Sequence, residues 1–258
     1  MSEVGTAPII EARGIVKTYG HVHALQGADF AAYPGEVVAL IGDNGAGKST
    51  LTKVIAGVIA PDQGELLFEG RPVQMSSPLA AQKLGIETVF QDLALAPDLD
   101  GAANVHLGRE ILRPGLLGKL GVLDKQAMKT AATNLFVDLG VAIKDASAAV
   151  ANLSGGQRQG VAVARAAAWA QKVIIMDEPT AALGVVQTEN VLNVIRRVRD
   201  QGVAVVLISH NMPDVLKVAD RIEVLRLGRR VATFKSSEAT IESLVGAMTG
   251  ALDGAVTR

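Results

Sequence analysis

The sequence predicts an α/β protein, a buried parallel sheet broken in its middle by a mostly helical insertion. Three observations carry this. EVVALI (36–41) and VIIM (173–176) are continuous apolar runs, the pattern of strands covered on both faces. Helical stretches alternate with such runs toward both ends of the chain. Between Leu93 and about Val150 the strand pattern gives way to helical spacing, with Gly- and Leu-rich loops around 114–121.

The elements follow in order. Residues 9–18 and 22–33 read as strands, and Pro34-Gly35 as a turn before the strand at 36–41. A glycine-rich loop, 42–50, leads into helical residues 51–59. The turn PDQG (61–64) precedes a strand at 65–68, and 86–90 is a further strand. Residues 124–139 form the clearest helix, with Met128, Ala132, Leu135, Phe136 and Leu139 at helical spacing. Helix 157–170 leads to strand 173–176, and helix 185–200 to strand 203–208. A short helix after Asn211 precedes strands 221–227 and 231–234, separated by the turn Gly228-Arg229. A last helix places Ile241, Leu244, Val245 and Met248 on one face.

Composition narrows the function. The 258 residues suffice for one large domain or one domain with an insertion. Hydrophobic residues are 49% and charged residues 20%, with a mean hydropathy of +0.30, yet uncharged runs such as 202–213 are too short to span a bilayer. The opening residues carry acids where a secretion signal needs a basic, then apolar, stretch, so a cytosolic chain is expected. Net charge is −1 and no lysine or arginine cluster stands out, which argues against nucleic acid. With no cysteine, disulfides and thiol catalysis are excluded.

Residues Gly42, Asp43, Asn44, Gly45, Ala46, Gly47, Lys48, Ser49 and Thr50 include the pattern G-x-x-x-x-G-K-[ST] between a strand and a helix. The glycines let backbone N–H groups curl toward phosphate oxygens, and the following helix adds its positive end. Lys48 supplies charge to the β- and γ-phosphates and Ser49 a hydroxyl to Mg²⁺. VIIMDEPT (173–180) places Asp177 at a strand end, where it can hold the Mg²⁺ water shell, and Glu178 beside it as general base for an attacking water. LSGGQ (153–157) offers the N–H groups of a helix start and the Ser154 hydroxyl to a second anion.

With all five letters of LSGGQ present, the chain resembles the ABC ATPase family over nearly its whole length. The resemblance implies a P-loop NTPase core with a parallel sheet, an antiparallel β subdomain near the N-terminus and an inserted α-helical subdomain. It implies one domain, its α/β core at 1–91 and 153–258 and the helical subdomain at about 92–152. It further implies that Ser154, Gly155, Gly156 and Gln157 of one subunit complete the ATP site of another, in a head-to-tail homodimer. By the same resemblance Tyr19 stacks on adenine, Gln91 reaches Mg²⁺ and water and hinges the insertion, and His210 touches the γ-phosphate. His21, His23 and His106 are read as structural. After Thr180 the family's usual Ser-Ala-Leu-Asp is replaced by AALG (181–184), which puts that loop's contact between subunits in question.

Among ABC proteins, a repair or chromosome ATPase would need a long coiled coil between loop and signature, and translation factors fuse two units. A transporter subunit is favoured. QDLALAPDLD (91–100), the stretch 104–110 and the segments 180–187 and 208–234 resemble monosaccharide importers of the ribose, xylose and fructose type. That likeness implies permease subunits, a periplasmic or extracellular sugar-binding protein, and a peripheral place on the cytoplasmic face of the inner membrane. A non-sugar substrate is the alternative.

Overall fold

The chain builds two sheets around a shared middle layer. The structure, a computed structural model, describes residues 7–251 apart from 142, 144, 145 and 182. Strands β1 (Ile10–Tyr19) and β2 (Val22–Ala32) pair antiparallel, and β3 (Val37–Ile41) runs into the phosphate loop and α1 (Lys48–Ile55). Strands β4 (Gln63–Phe68) and β5 (Arg71–Val73) return to the first pair, closing an antiparallel sheet of order β2-β1-β4-β5. Helix α2 (Pro78–Lys83), capped by Ser77, precedes β6 (Ile86–Val89).

Next come α3 (Gly101–Val105), α4 (Leu116–Lys119), α5 (Lys125–Leu139) and α6 (Gly155–Trp169). The α/β alternation then resumes with β7 (Val173–Asp177), α7 (Val185–Asp200), β8 (Ala204–Ile208), α8 (Met212–Val218) and β9 (Arg221–Arg226). Strand β10 (Arg229–Lys235) and helix α9 (Ile241–Thr249) follow. The second sheet has the order β10-β9-β3-β8-β7-β6, parallel except for the edge strand β10.

The two-residue period of each strand splits the core. Val37, Ala39, Ile41, Ile174, Met176, Val205 and Leu207 face helices α3 and α5 to α9. Val38, Leu40, Val173, Ile175, Val206 and Ile208 face the antiparallel sheet and α1. The continuous apolar runs in the sequence are therefore strands buried on both faces.

Several boundaries differ from the sequence expectation. Helix α1 starts at Lys48 rather than 51, because the loop winds into it from Gly47 (φ 103°), and it ends at Ile55 rather than 59. Strand β5 and helix α2 have no counterpart in the sequence pattern, because both are short and carry little periodicity. Residues 93–150 are not wholly helical, since antiparallel bridges join Asp100 to Ala149 and Leu112 to Leu123. On α9, Leu244 and Ala247 are buried, whereas Ile241 and Val245 are exposed, so its packed face is rotated from the expected one.

A half-buried cation ties the layers together. Arg221 on β9 donates to Glu36 (2.7 Å) and to the Ala31 carbonyl (2.7 Å), pairs with Glu223 on the same strand face, and lies 5.3 Å above the Tyr33 ring. Burial pushes the fully enclosed Glu223 carboxyl above its usual range, against the pull of Arg221 and Arg230. Arg221→Met keeps the apolar stem and removes the cation that Glu36 and Glu223 share. It is expected to lower unfolding free energy by about 3–5 kcal/mol, read from urea denaturation. An unchanged midpoint would show that the network contributes nothing to the joint.

Candidate nucleotide site

The strand order delivers the predicted residues to one edge. Register pairs Leu40 with Ile208 and Asp177 with Ile208, so β3, β8 and β7 end side by side, and β6 ends beside β7 through Val89 and Met176. The loop 42–50, Asp177, Glu178, Gln91 and His210 all follow these strand ends, where parallel α/β sheets bind ligands.

The loop is wedged against its surroundings. A Cβ at Gly42 would collide with the Leu225 carbonyl of β9, and one at Gly47 would lie 2.6 Å from the Ala24 carbonyl of β2. Gly228 locks the loop from outside: its N–H donates to the Ala46 carbonyl (2.9 Å), and its carbonyl accepts from Gln26 N–H (2.9 Å). Inside the loop Ala46 N–H donates to the Asp43 carbonyl (3.0 Å), and Lys48 Nζ donates to the carbonyls of Gly42 (2.7 Å) and Asp43 (3.1 Å). Asp43, Asn44, Gly45 and Ser49 are exposed at the loop's open side, with Thr50 half-buried in the first turn of α1.

The charges are balanced against one another. Burial lowers the Lys48 ammonium pKa, opposed by Glu178, Asp177 and Asp43. Burial raises the Asp177 carboxyl pKa, reinforced by Glu178 and opposed by Lys48 and Lys53. An incoming polyphosphate would favour the charged lysine, and a dication the charged aspartate. Ser49, Asp177 and Gln91 offer a hydroxyl, a carboxylate and an amide, an oxygen set suited to a hard cation. No group of three His, Cys, Asp or Glu residues could hold an ion by itself among the described residues.

Glu178 sits at φ 50°, in the left-handed region that a non-glycine residue seldom adopts. Its N–H donates to the Ile208 carbonyl (2.9 Å), and its carboxylate Oε1 meets His210 Nδ1 at 2.7 Å. His210 itself is 71% exposed at the side chain while Glu178 is 15% exposed, so the imidazole stands outward of the carboxylate it orients. Tyr19 is exposed at the end of β1, with Lys17 Nζ 5.8 Å from its ring centroid.

The signature residues stand apart. Ser154 caps α6 by accepting from Gln157 N–H (3.3 Å), and Gln157 Oε1 accepts from Ser154 N–H (2.9 Å). Ser154 and Gly155 are exposed. A cleft of about 360 Å³ beside them is lined by Ser154, Gly156, Gln157, Val186, Gln187 and Asn190 among others, and by no residue of the phosphate loop. Of the departing segment 181–184, Ala182 lies outside the described residues.

Two supporting residues escaped sequence reasoning. Arg165 on α6 donates to the carbonyls of Ala94 (2.7 Å) and Leu93 (2.9 Å), fastening the segment after Gln91 to the signature helix. A single cation in the apolar run GVAVARAAAW was the available signal. Thr180 Oγ1 donates to buried Asp214 (3.1 Å), anchoring the turn after Glu178, and nothing in the sequence marked it. His106 is buried edge-on to Trp169 (5.8 Å between ring centroids), away from the loop, while His21 and His23 are exposed.

Fold and site together define a nucleotide-binding cassette built on a phosphate loop. The model of the ABC transporter family matches residues 25–181, and the chain belongs to that family. It is 55% identical over 95% of its length to the fructose import ATP-binding protein of Rhizobium meliloti, covering 95% of that protein. It is 45% identical to the xylose/arabinose import ATP-binding protein of Sulfolobus acidocaldarius, over 93% of this chain and 94% of that one. Among solved structures it resembles a dimeric ATP-binding cassette in a post-hydrolysis state bound to ADP and phosphate. The TM-score is 0.75 at 25% identity, covering 88% of this chain and 98% of the other.

Lys48→Ala removes the one ammonium bonded into the loop. ATP affinity by calorimetry is expected to fall at least about tenfold, the scale of one lost charge-assisted contact. Unchanged affinity in the presence of Mg²⁺ would remove the loop from the site.

Proposed function

We propose that this chain is the ATP-hydrolysing motor of a monosaccharide importer, working as a head-to-tail pair. The observation that carries hydrolysis is the Glu178–His210 contact beside the phosphate loop. The sugar is supported by similarity to proteins named for fructose and xylose or arabinose import.

In this reading the loop N–H groups and Lys48 hold the β- and γ-phosphates, and Tyr19 lies against adenine. Ser49, Asp177 and Gln91 would hold Mg²⁺. Bound there, the cation would neutralise negative charge on the polyphosphate. Glu178 accepts a proton from the water that attacks the γ-phosphorus as the bond to the β–γ bridging oxygen breaks, giving ADP and phosphate. His210 holds that carboxylate and reaches toward the γ-phosphate. The exposed Ser154, with Gly155, Gly156 and Gln157, closes the site of a second copy, exchanging part of its capping bonds for bonds to phosphate.

ATP favours the closed pair, because both copies bind the γ-phosphate; its loss lets them part. That difference in binding is what can move a partner. Residues 93–110, following Gln91 and fastened by Arg165, would contact the permease, within a helical subdomain of about 92–152. The motor then sits peripherally on the cytoplasmic face of the membrane, and a sugar-binding protein feeds the permease from the other side.

Glu178→Gln keeps shape and hydrogen bonding but removes the base. It is expected to bind ATP with near wild-type affinity and lose at least about a hundredfold in turnover. A long-lived dimer should appear by light scattering, and sugar uptake should cease in cells relying on the variant. Turnover within a few-fold of wild type would assign the base elsewhere. Lost turnover with unchanged uptake of every monosaccharide would remove the sugar from the proposal.

A further inference from the structure

Residues 111–123 form a hairpin that neither core explains. Arg113 N–H donates to the Val122 carbonyl (2.9 Å) and Asp124 N–H to the Ile111 carbonyl (2.7 Å), and Leu112 bridges to Leu123 across the stem. Helix α4 lies at its tip, closed by Val122 N–H donating to the Leu117 carbonyl (3.0 Å). None of its leucines belongs to either hydrophobic core. Leu112, Leu116, Leu117, Leu120, Val122 and Leu123 are all exposed, Leu116 and Leu120 at 73% and 72%. A run of this kind costs solubility, and on a folded surface it marks a contact.

Its charge indicates the occupant. The chain as a whole carries −1, but residues 111–123 hold the cations Arg113 and Lys119 and no acid. Lys125 and Lys129 follow on α5 and share a cleft with Asp98, Asp100 and Glu110, and Asp124 caps α5, accepting from Ala127 N–H at 3.0 Å. Protein-binding surfaces anchor on aromatic and arginine side chains in pockets, with leucine and valine under-represented. The hairpin has leucines flanked by cations, a composition found in segments that enter the interface of an anionic bilayer.

The geometry points to residues 111–123 as a membrane-contact hairpin, with Leu116 and Leu120 entering an anionic lipid surface and Arg113 and Lys119 meeting its headgroups. This goes beyond the motor reading and does not depend on it, since neither ATP nor a permease enters the argument.

The test uses the full chain purified without a permease and sedimented with vesicles of phosphatidylcholine alone or mixed with phosphatidylglycerol. Wild-type protein is expected to sediment with the anionic vesicles and weakly with the neutral ones. Leu116→Ser with Leu120→Ser should lower the partition coefficient about tenfold. Arg113→Glu with Lys119→Glu should bring binding to anionic vesicles down to the neutral level. Unchanged ATP affinity in both variants would show that they are folded. Failure of wild type to sediment, or equal sedimentation of the variants, overturns the proposal. So does binding confined to vesicles carrying an integral permease, which would make the hairpin a protein-docking element.

Discussion

The loop between β3 and α1 can turn its backbone toward an anion only because hydrogen alone occupies Gly42 and Gly47. There the Leu225 and Ala24 carbonyls come too close for any side chain. Two strands from different sheets, β9 and β2, thus press on the same loop. Gly228 bonds to both the loop and β2, so the antiparallel sheet is not a separate ornament but part of the anion site's wall. Tyr19 lies at the end of β1 paired to that same β2, and Arg221 joins the two layers at the other end of β3, beside Glu36.

On the open side the constraint is electrostatic. Lys48 and Asp177 share a partly desolvated space, and the burial that disfavours the charge on each is opposed by neighbours of opposite sign. Such a site is poised for an additional pair of charges, a polyphosphate and a cation, and is less favourable without them. The strained backbone of Glu178 and its contact with His210 hold the carboxylate toward that space. The signature, meanwhile, is satisfied by its own capping box and stands exposed beside a different cleft. One chain therefore presents an anion-binding loop and a second helix start that the first does not use.

Much of this was legible in the sequence, for physical reasons. Strands buried on both faces write themselves as unbroken apolar runs, so β3, β7 and β8 were plain, and α7 begins and ends where its pattern does. The phosphate loop was legible because its chemistry demands particular residues in particular places. What stayed hidden depends on contacts between distant segments. The register of β7 on β8 sets Glu178 beside His210, and no local pattern encodes it. The rotated face of α9 follows from its docking through Leu244, while Val245 and Ile241 satisfy the same helical period equally well. Arg165 differed from its apolar neighbours visibly, but its carbonyl partners are some seventy residues away.

If Lys48 of one copy and Ser154 of another hold one ATP, two crippled proteins should complement when mixed. The pair is Lys48→Ala and Ser154→Arg, each also carrying Glu178→Gln to prevent turnover. Each homodimer lacks a required group in both of its sites, whereas a mixed dimer has one site with both defects and one with neither. Radiolabelled ATP retained after rapid desalting should be absent for either protein alone. In the mixture it should reappear, at no more than one ATP for each mixed dimer. No regain at any mixing ratio, with both proteins folded and able to pair, would contradict the shared site.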